Sequence, residues 1–136
     1  MVKKIEEEKH LIEAATRARL RAYAPYSSFL VGAALRGGDG IIYTGCNVEN
    51  LSYGLSICAE RVAVCASVAH GMRDIQSMVI VTDSERPASP CGACRQFMAE
   101  FNAQMPILLC SVNGRIERHS LGELFPRAQT GILGRE

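Results

Sequence analysis

The chain has 136 residues, 48% of them hydrophobic, a net charge of +1 and six cysteines. That length and apolar content suit one domain over residues 1–136, with a core that needs no disulfides. Scattered basic residues exclude the continuous basic stripe of a nucleic-acid binder, and no apolar run reaches the length of a membrane span, so a small-molecule substrate is expected. No apolar segment follows Met1-Val2-Lys3-Lys4-Ile5 as it would in an export signal, which reads as a cytoplasmic protein with reduced thiols or metal-binding cysteines.

In chain order, Ile5, Leu11, Ile12, Ala15 and Leu20 recur at helical spacing among charges, predicting an amphipathic helix from about Val2 to Tyr23. After the turn at Ala24-Pro25-Tyr26-Ser27-Ser28, a short apolar strand runs from Phe29 to Leu35. Gly37-Gly38-Asp39-Gly40 then leads into Ile41-Ile42-Tyr43 as a hairpin. Residues 45–56 read as an ordered loop, and Cys58 to His70 as a helix with few charges, expected to be buried. Met78 to Thr82 is a buried strand, Asp83 to Pro90 a polar loop, and Cys91 to about Phe101 a helix. Ile107 to Val112 and Arg115 to His119 form two strands joined at Asn113-Gly114 by a type I′ turn, before a short helix from Leu121 to Phe125. This order implies a mixed sheet with helices on both faces.

Cys58-Ala59-Glu60 and, further on, Pro90-Cys91-Gly92-Ala93-Cys94 combine three sulfur donors with one adjacent carboxylate. A structural zinc site closes its tetrahedron with four protein ligands, whereas a catalytic one uses three and leaves the fourth position to water. Three cysteines with Glu60 beside them therefore point to metal-assisted hydrolysis, the carboxylate handling protons. Both motifs fall at loop-to-helix junctions, where free N–H groups and the helix dipole stabilise thiolates. Cys91 and Cys94 share one face of a first turn, so both can meet one ion while Cys58 arrives from another helix. Buried reduced thiols or a structural zinc site is the competing reading. Cys46, Cys65 and Cys110 read as core residues, and His10, His70 and His119 as isolated surface positions. Asn47 and Glu49, two apart, would present side chains to one side if their segment is extended, which would suit adjacent hydroxyls of a sugar.

These motifs, with Tyr23-Ala24-Pro25-Tyr26-Ser27-Ser28-Phe29, Gly45-Cys46-Asn47-Val48-Glu49-Asn50 and Arg95-Gln96, resemble the small, homotetrameric class of cytidine deaminase over roughly Tyr23 to Pro126. The resemblance implies a three-layer α/β fold with a mixed five-stranded sheet and helices on both faces. It implies Zn2+ on Cys58, Cys91 and Cys94, with water or hydroxide attacking C4 of cytidine or deoxycytidine to release ammonia, in pyrimidine salvage. Glu60 then serves as the catalytic acid and base, first at N3 and then at the departing amino group. Arg61 resembles the arginine that hydrogen-bonds the sulfurs and offsets a site charge of about −1. Asn47 and Glu49 correspond to ribose contacts, the Ala59 backbone N–H to a base contact, and Phe29 to an aromatic wall, with core packing as its competing role. Tyr53 lies near the site in the family. The same resemblance implies a tetramer in which Ala59, Ala63, Ala66 and Ala69 let helices approach closely.

The sequence departs from the family at Gln129, three residues beyond Pro126, where an aromatic commonly reaches a neighbouring subunit's site. A blasticidin-type deaminase with shifted substrate preference is the alternative, and Glu49 argues against it, since the corresponding motif there lacks this acid. A zinc-stabilised binding module and a nucleic-acid-editing deaminase are further readings. The second lacks its expected basic and aromatic groove here.

Overall fold

Four largely apolar runs and one polar edge segment become the strands of one sheet: β1 Val31–Gly37, β2 Ile42–Cys46, β3 Ile75–Thr82, β4 Pro106–Ser111 and the polar β5 Ile116–Ser120. The computed structural model describes residues 1–128, within which the strand order is β2-β1-β3-β4-β5. β3 and β4 run parallel, and the other neighbouring pairs run antiparallel. The parallel pair needs a crossover, and a helix supplies it. The helices are α1 Val2–Arg19, α2 Ala59–Ala69, α3 Gly92–Ala99 and α4 Leu121–Leu124.

Each face of the sheet carries its own core. α1 sets Leu11, Ala14 and Ala15 against Ala34, Val79, Val81, Leu108 and Cys110. On the opposite face α2 and α3 set Ala59, Ala63, Val64, Cys94 and Met98 against Leu35, Tyr43, Ile80, Ile107 and Leu109. The expected three-layer arrangement is therefore present. Two glycines make it tight: a Cβ on Gly32 would strike the Ala15 carbonyl of α1, and one on Gly45 would strike the Ala59 carbonyl and Ala63 N of α2.

Several boundaries differ from the sequence reading, each for a local reason. α1 ends at Arg19, not Tyr23, because Tyr23 bridges the segment at Val48, donating its N–H to Asn47 O and accepting from Glu49 N. Ile5 and Leu20, assigned to the apolar stripe, are 60% and 72% exposed, since α1 meets the sheet through small residues over Gly32. β2 runs on to Cys46 and β3 starts at Ile75, and α3 stops at Ala99. The final hairpin does not use a type I′ turn. Gly114 N bonds Ser111 O, Val112 and Asn113 keep ordinary φ, and Gly114 follows at φ 96°. A turn of ordinary hand followed by a left-handed glycine is the alternative hairpin solution.

The outer side of α2 is open within one chain. Ala59, Glu60, Ala63, Val64 and Ser67 are buried, while Val62, Cys65, Ala66 and Ala69 lie along the other side. The helix is thus not buried all round, and Cys65 is exposed, not a core residue. Cys46 is half-buried, and Cys110 lies in the α1 core, where burial pushes its thiol up to about 11. His119 is not isolated: its ring nitrogen is 3.1 Å from Glu117.

Gly45→Ala should cost about 1–3 kcal/mol in urea unfolding, because the added methyl meets helix backbone, not a side chain that can turn away. Gly54→Ala, whose Cβ would have nothing within 4 Å, should stay within about 0.5 kcal/mol of the parent in the same experiment.

Candidate active site

The first residue before each of α2 and α3 is a cysteine. Cys58 is the N-cap of α2 and Cys91 the N-cap of α3, both with extended backbone. Cys94 lies in the first turn of α3, buried, and its N–H donates to Cys91 Sγ at 3.5 Å. The Cys58 and Cys91 sulfurs are 3.8 Å apart, and all three sulfurs lie within 4.8 Å of one another. Sulfurs at 2.3 Å around a tetrahedral zinc stand roughly 3.8 Å apart, so the donors fit that ion in type and spacing.

The electrostatics fit as well. Contact with Cys94, then Arg61 and Cys91, draws the Cys58 thiol down to about 5 against the opposing effect of burial. Cys94 is pushed up, by the same contact with Cys58 and by burial. Cys58 thus gives up its proton far more readily than Cys94, and a divalent ion displaces thiol protons on binding. Arg61 donates from its guanidinium to Cys58 Sγ at 3.7 Å, which is the sulfur contact expected of it. Its Nε is buried with no hydrogen-bond partner among the described residues. Glu60, in the first turn of α2, is only 4% exposed. Burial, and then the Cys58 charge, raises its carboxyl above the ordinary range.

A cavity of about 260 Å³ opens beside the sulfurs, lined by Phe29, Val31, Asn47, Glu49, Ala59 and Glu60 together with Cys58 and Cys91. Phe29 is 39% exposed and so belongs to the wall, not the core. Val48 bridges both Tyr23 and Ile57, which keeps residues 47–49 extended and points Asn47 and Glu49 to one side. Both side chains also hold backbone. Asn47 Oδ1 accepts from Val31 N, and Nδ2 donates to Phe29 O, each at 2.8 Å. Glu49 accepts from Tyr26 N, Ser27 N and the Ser27 hydroxyl, the last being the main reason its carboxyl sits below the usual range. These bonds secure a turn in which Ser28 has φ 58°, a conformation costing a non-glycine residue about 1–3 kcal/mol. Tyr53 is 73% exposed, set edge-on to Tyr26, and is not part of the cavity wall. Gln129 lies outside the described residues. A larger cavity of about 750 Å³ between α1 and the sheet contains none of the three sulfurs, so volume alone does not mark the reactive site.

Residues 5–110 match the family model described as the cytidine and deoxycytidylate deaminase zinc-binding region. The chain belongs to the cytidine deaminase family. It is 49% identical to a cytidine deaminase of Sporosarcina psychrophila over 87% of this chain and 88% of that one. A cytidine deaminase of Halalkalibacterium halodurans is 47% identical over 88% and 92% of the two chains. The crystal structure of cytidine deaminase from Burkholderia pseudomallei superposes with a TM-score of 0.85 at 46% identity, covering 88% of this chain and 96% of that one. A blasticidin-S deaminase of Bacillus cereus is more distant, at 28% identity over 133 residues. This member of the cytidine deaminases is accordingly a hydrolytic enzyme whose metal is zinc.

The structure brings all nine sequence-predicted site residues to one region: eight line the cavity or supply its sulfurs, and Arg61 stands behind Cys58. Sequence reasoning missed Thr82, Ala88 and Ser89, which also line the cavity. The register pair Val31↔Thr82 brings the end of β3 beside β1, and nothing in the local sequence signals a pairing that distant. Arg61→Ala should lower zinc affinity about 10- to 100-fold in chelator competition while leaving the helix content unchanged.

Proposed function

We propose that this cytidine deaminase converts cytidine and deoxycytidine to uridine and deoxyuridine with release of ammonia, in pyrimidine salvage. One observation supports it above others: a buried carboxyl, Glu60, beside three convergent sulfurs at the end of a cavity lined by Asn47, Glu49 and Phe29. In this reading Cys58, Cys91 and Cys94 are the zinc ligands, and zinc supplies the Lewis acidity that makes water a nucleophile near neutral pH.

The chain's own groups do the rest. Glu60 takes one proton from the attacking water and delivers it to ring N3, then takes the second from the resulting 4-hydroxyl and delivers it to the leaving 4-amino group, so the same carboxyl is base and acid in turn. Its raised proton affinity suits that exchange. Arg61 offsets thiolate charge and keeps Cys58 oriented. The Ala59 N–H, in the first turn of α2 where no helical carbonyl meets it, is available to the base. Phe29 offers its ring to the flat pyrimidine.

Asn47 and Glu49 take the sugar hydroxyls. Glu49 has accepted three hydrogen bonds of the roughly four a carboxylate can take, and Asn47 retains one N–H and one lone pair. A substrate without the sugar leaves these groups unpaired, which penalises free cytosine. The greater identity to cytidine deaminases than to the blasticidin-S deaminase supports this substrate over the alternative.

We further propose a homotetramer in the cytoplasm. Val62, Cys65, Ala66 and Ala69, at helical spacing along the open side of α2, are the small and apolar surface by which subunits approach. Ala59 and Ala63 do not contribute, being packed over Gly45 of their own sheet. Three adjacent thiolates also require a reducing compartment.

Glu60→Gln should keep one zinc per chain yet release ammonia from cytidine about 10²- to 10⁴-fold more slowly; near-normal turnover would remove Glu60 from the mechanism. In the same assay the unmodified enzyme should act on cytidine well and on free cytosine poorly. Light scattering should give a tetramer that Ala66→Arg disrupts, and a stable active monomer of the unmodified chain would refute the assembly.

A further inference from the structure

The loop that delivers Cys91 is held by a side chain from the helix that follows it. Arg95, the fourth residue of α3, makes three divergent hydrogen bonds. Its Nε donates to Pro90 O at 2.8 Å, Nη2 to Ser89 Oγ at 2.8 Å and Nη1 to Leu124 O at 2.6 Å. All three acceptors are neutral oxygens. Pro90 is buried, and Ala88, Ser89 and Cys91 on either side of it line the cavity. Leu124 is the last residue of α4, and the neighbouring Gln96 reaches Ala128 O at 3.5 Å. Two consecutive residues of α3 thus hold the cavity wall and the C-terminal segment to the helix whose first turn carries Cys94.

The geometry points to Arg95 as a positioning residue, one that fixes the Ser89–Pro90 wall and the end of α4 in a single frame about Cys91 and Cys94. Arg95 does not line the cavity, and its guanidinium bonds to oxygens alone among the described residues. The planar guanidinium sets the directions of its donors rigidly, so three acceptors from two chain segments are held at fixed mutual positions. Lysine preserves the charge and loses that fork. A wall displaced by about 1 Å misplaces the bound ring relative to Glu60, a shift that costs up to roughly 10²-fold in rate. The inference rests on the deaminase reading of the same cavity.

The test is Arg95→Lys in the zinc-loaded enzyme, compared with Ser89→Ala and the double variant. Arg95→Lys should retain one zinc per chain and lower kcat on cytidine roughly 10- to 100-fold, with a much smaller change in KM. Ser89→Ala, which removes one of the three acceptors, should lower kcat less, and should have little further effect once Arg95 is replaced. Backbone hydrogen exchange at Ser89, Cys91 and Phe125 should rise together in Arg95→Lys, a readout independent of turnover. Unchanged kcat per bound zinc in Arg95→Lys, or unchanged exchange at those amides, overturns the assignment. If Arg95→Lys fails to fold or to hold zinc, Ser89→Ala decides: reduced kcat at full zinc supports the clamp, and unchanged kcat overturns it. Absent ammonia release by the unmodified enzyme would refute the deaminase reading instead, with the exchange comparison still reporting on the clamp.

Discussion

The N-termini of α2 and α3 are aimed at one point, with the sulfurs of their cap residues Cys58 and Cys91 only 3.8 Å apart. Much of the architecture follows from keeping them there. Gly45 lets α2 settle onto β2 without a side chain between them, and the crossover from β3 to β4 carries α3 onto the same face of the sheet. Register then completes the cavity: Val31 opposes Thr82 at the end of β3 from which the loop to Cys91 departs. A site outside the carboxyl end of a parallel strand is where open α/β sheets usually bind ligands.

Concentrating acid and thiol groups at a helix start is electrostatically costly, and the costs are met locally. Glu60 and Cys94 are both buried; the Glu60 charge disfavours ionisation of Cys94, and the Cys58 charge disfavours ionisation of Glu60. Free N–H groups of the two first turns and the Arg61 guanidinium counter that repulsion. The acidic group at the far end of the cavity is handled differently. Glu49 is stabilised by the Tyr26–Ser27 turn, so one residue both shapes the rim and faces the interior.

The fold class and the metal cluster were legible because both depend on local patterns. Short apolar runs and glycine turns mark most of the strands, and a cysteine just before α2 and another before α3 mark places where thiolates are stabilised. Val48 illustrates what was not legible: its bridges to Tyr23 and Ile57 shorten α1 and build the cavity rim, through partners with no common local signal. Alanine content likewise failed to say which side of α2 meets its own sheet, because Ala59 and Ala66 are chemically alike. Only Gly45, distant in sequence, separates them. The turn at Asn113-Gly114 was misassigned since one left-handed glycine serves two hairpin geometries, and its position relative to the strand ends decides between them.

Cys58 and Cys91 are 33 residues apart in sequence, and the span between them contains all of α2 and β3. An ion gripped by both is therefore a cross-link as well as a reagent. In chain-entropy terms, closing a loop of that size restricts the unfolded ensemble by about 3–4 kcal/mol, as a disulfide would. Unlike a disulfide, this staple is exchangeable, so the fold's resistance to opening varies with the free zinc concentration around it. Metal supply then governs how long the molecule persists as well as how fast it turns over.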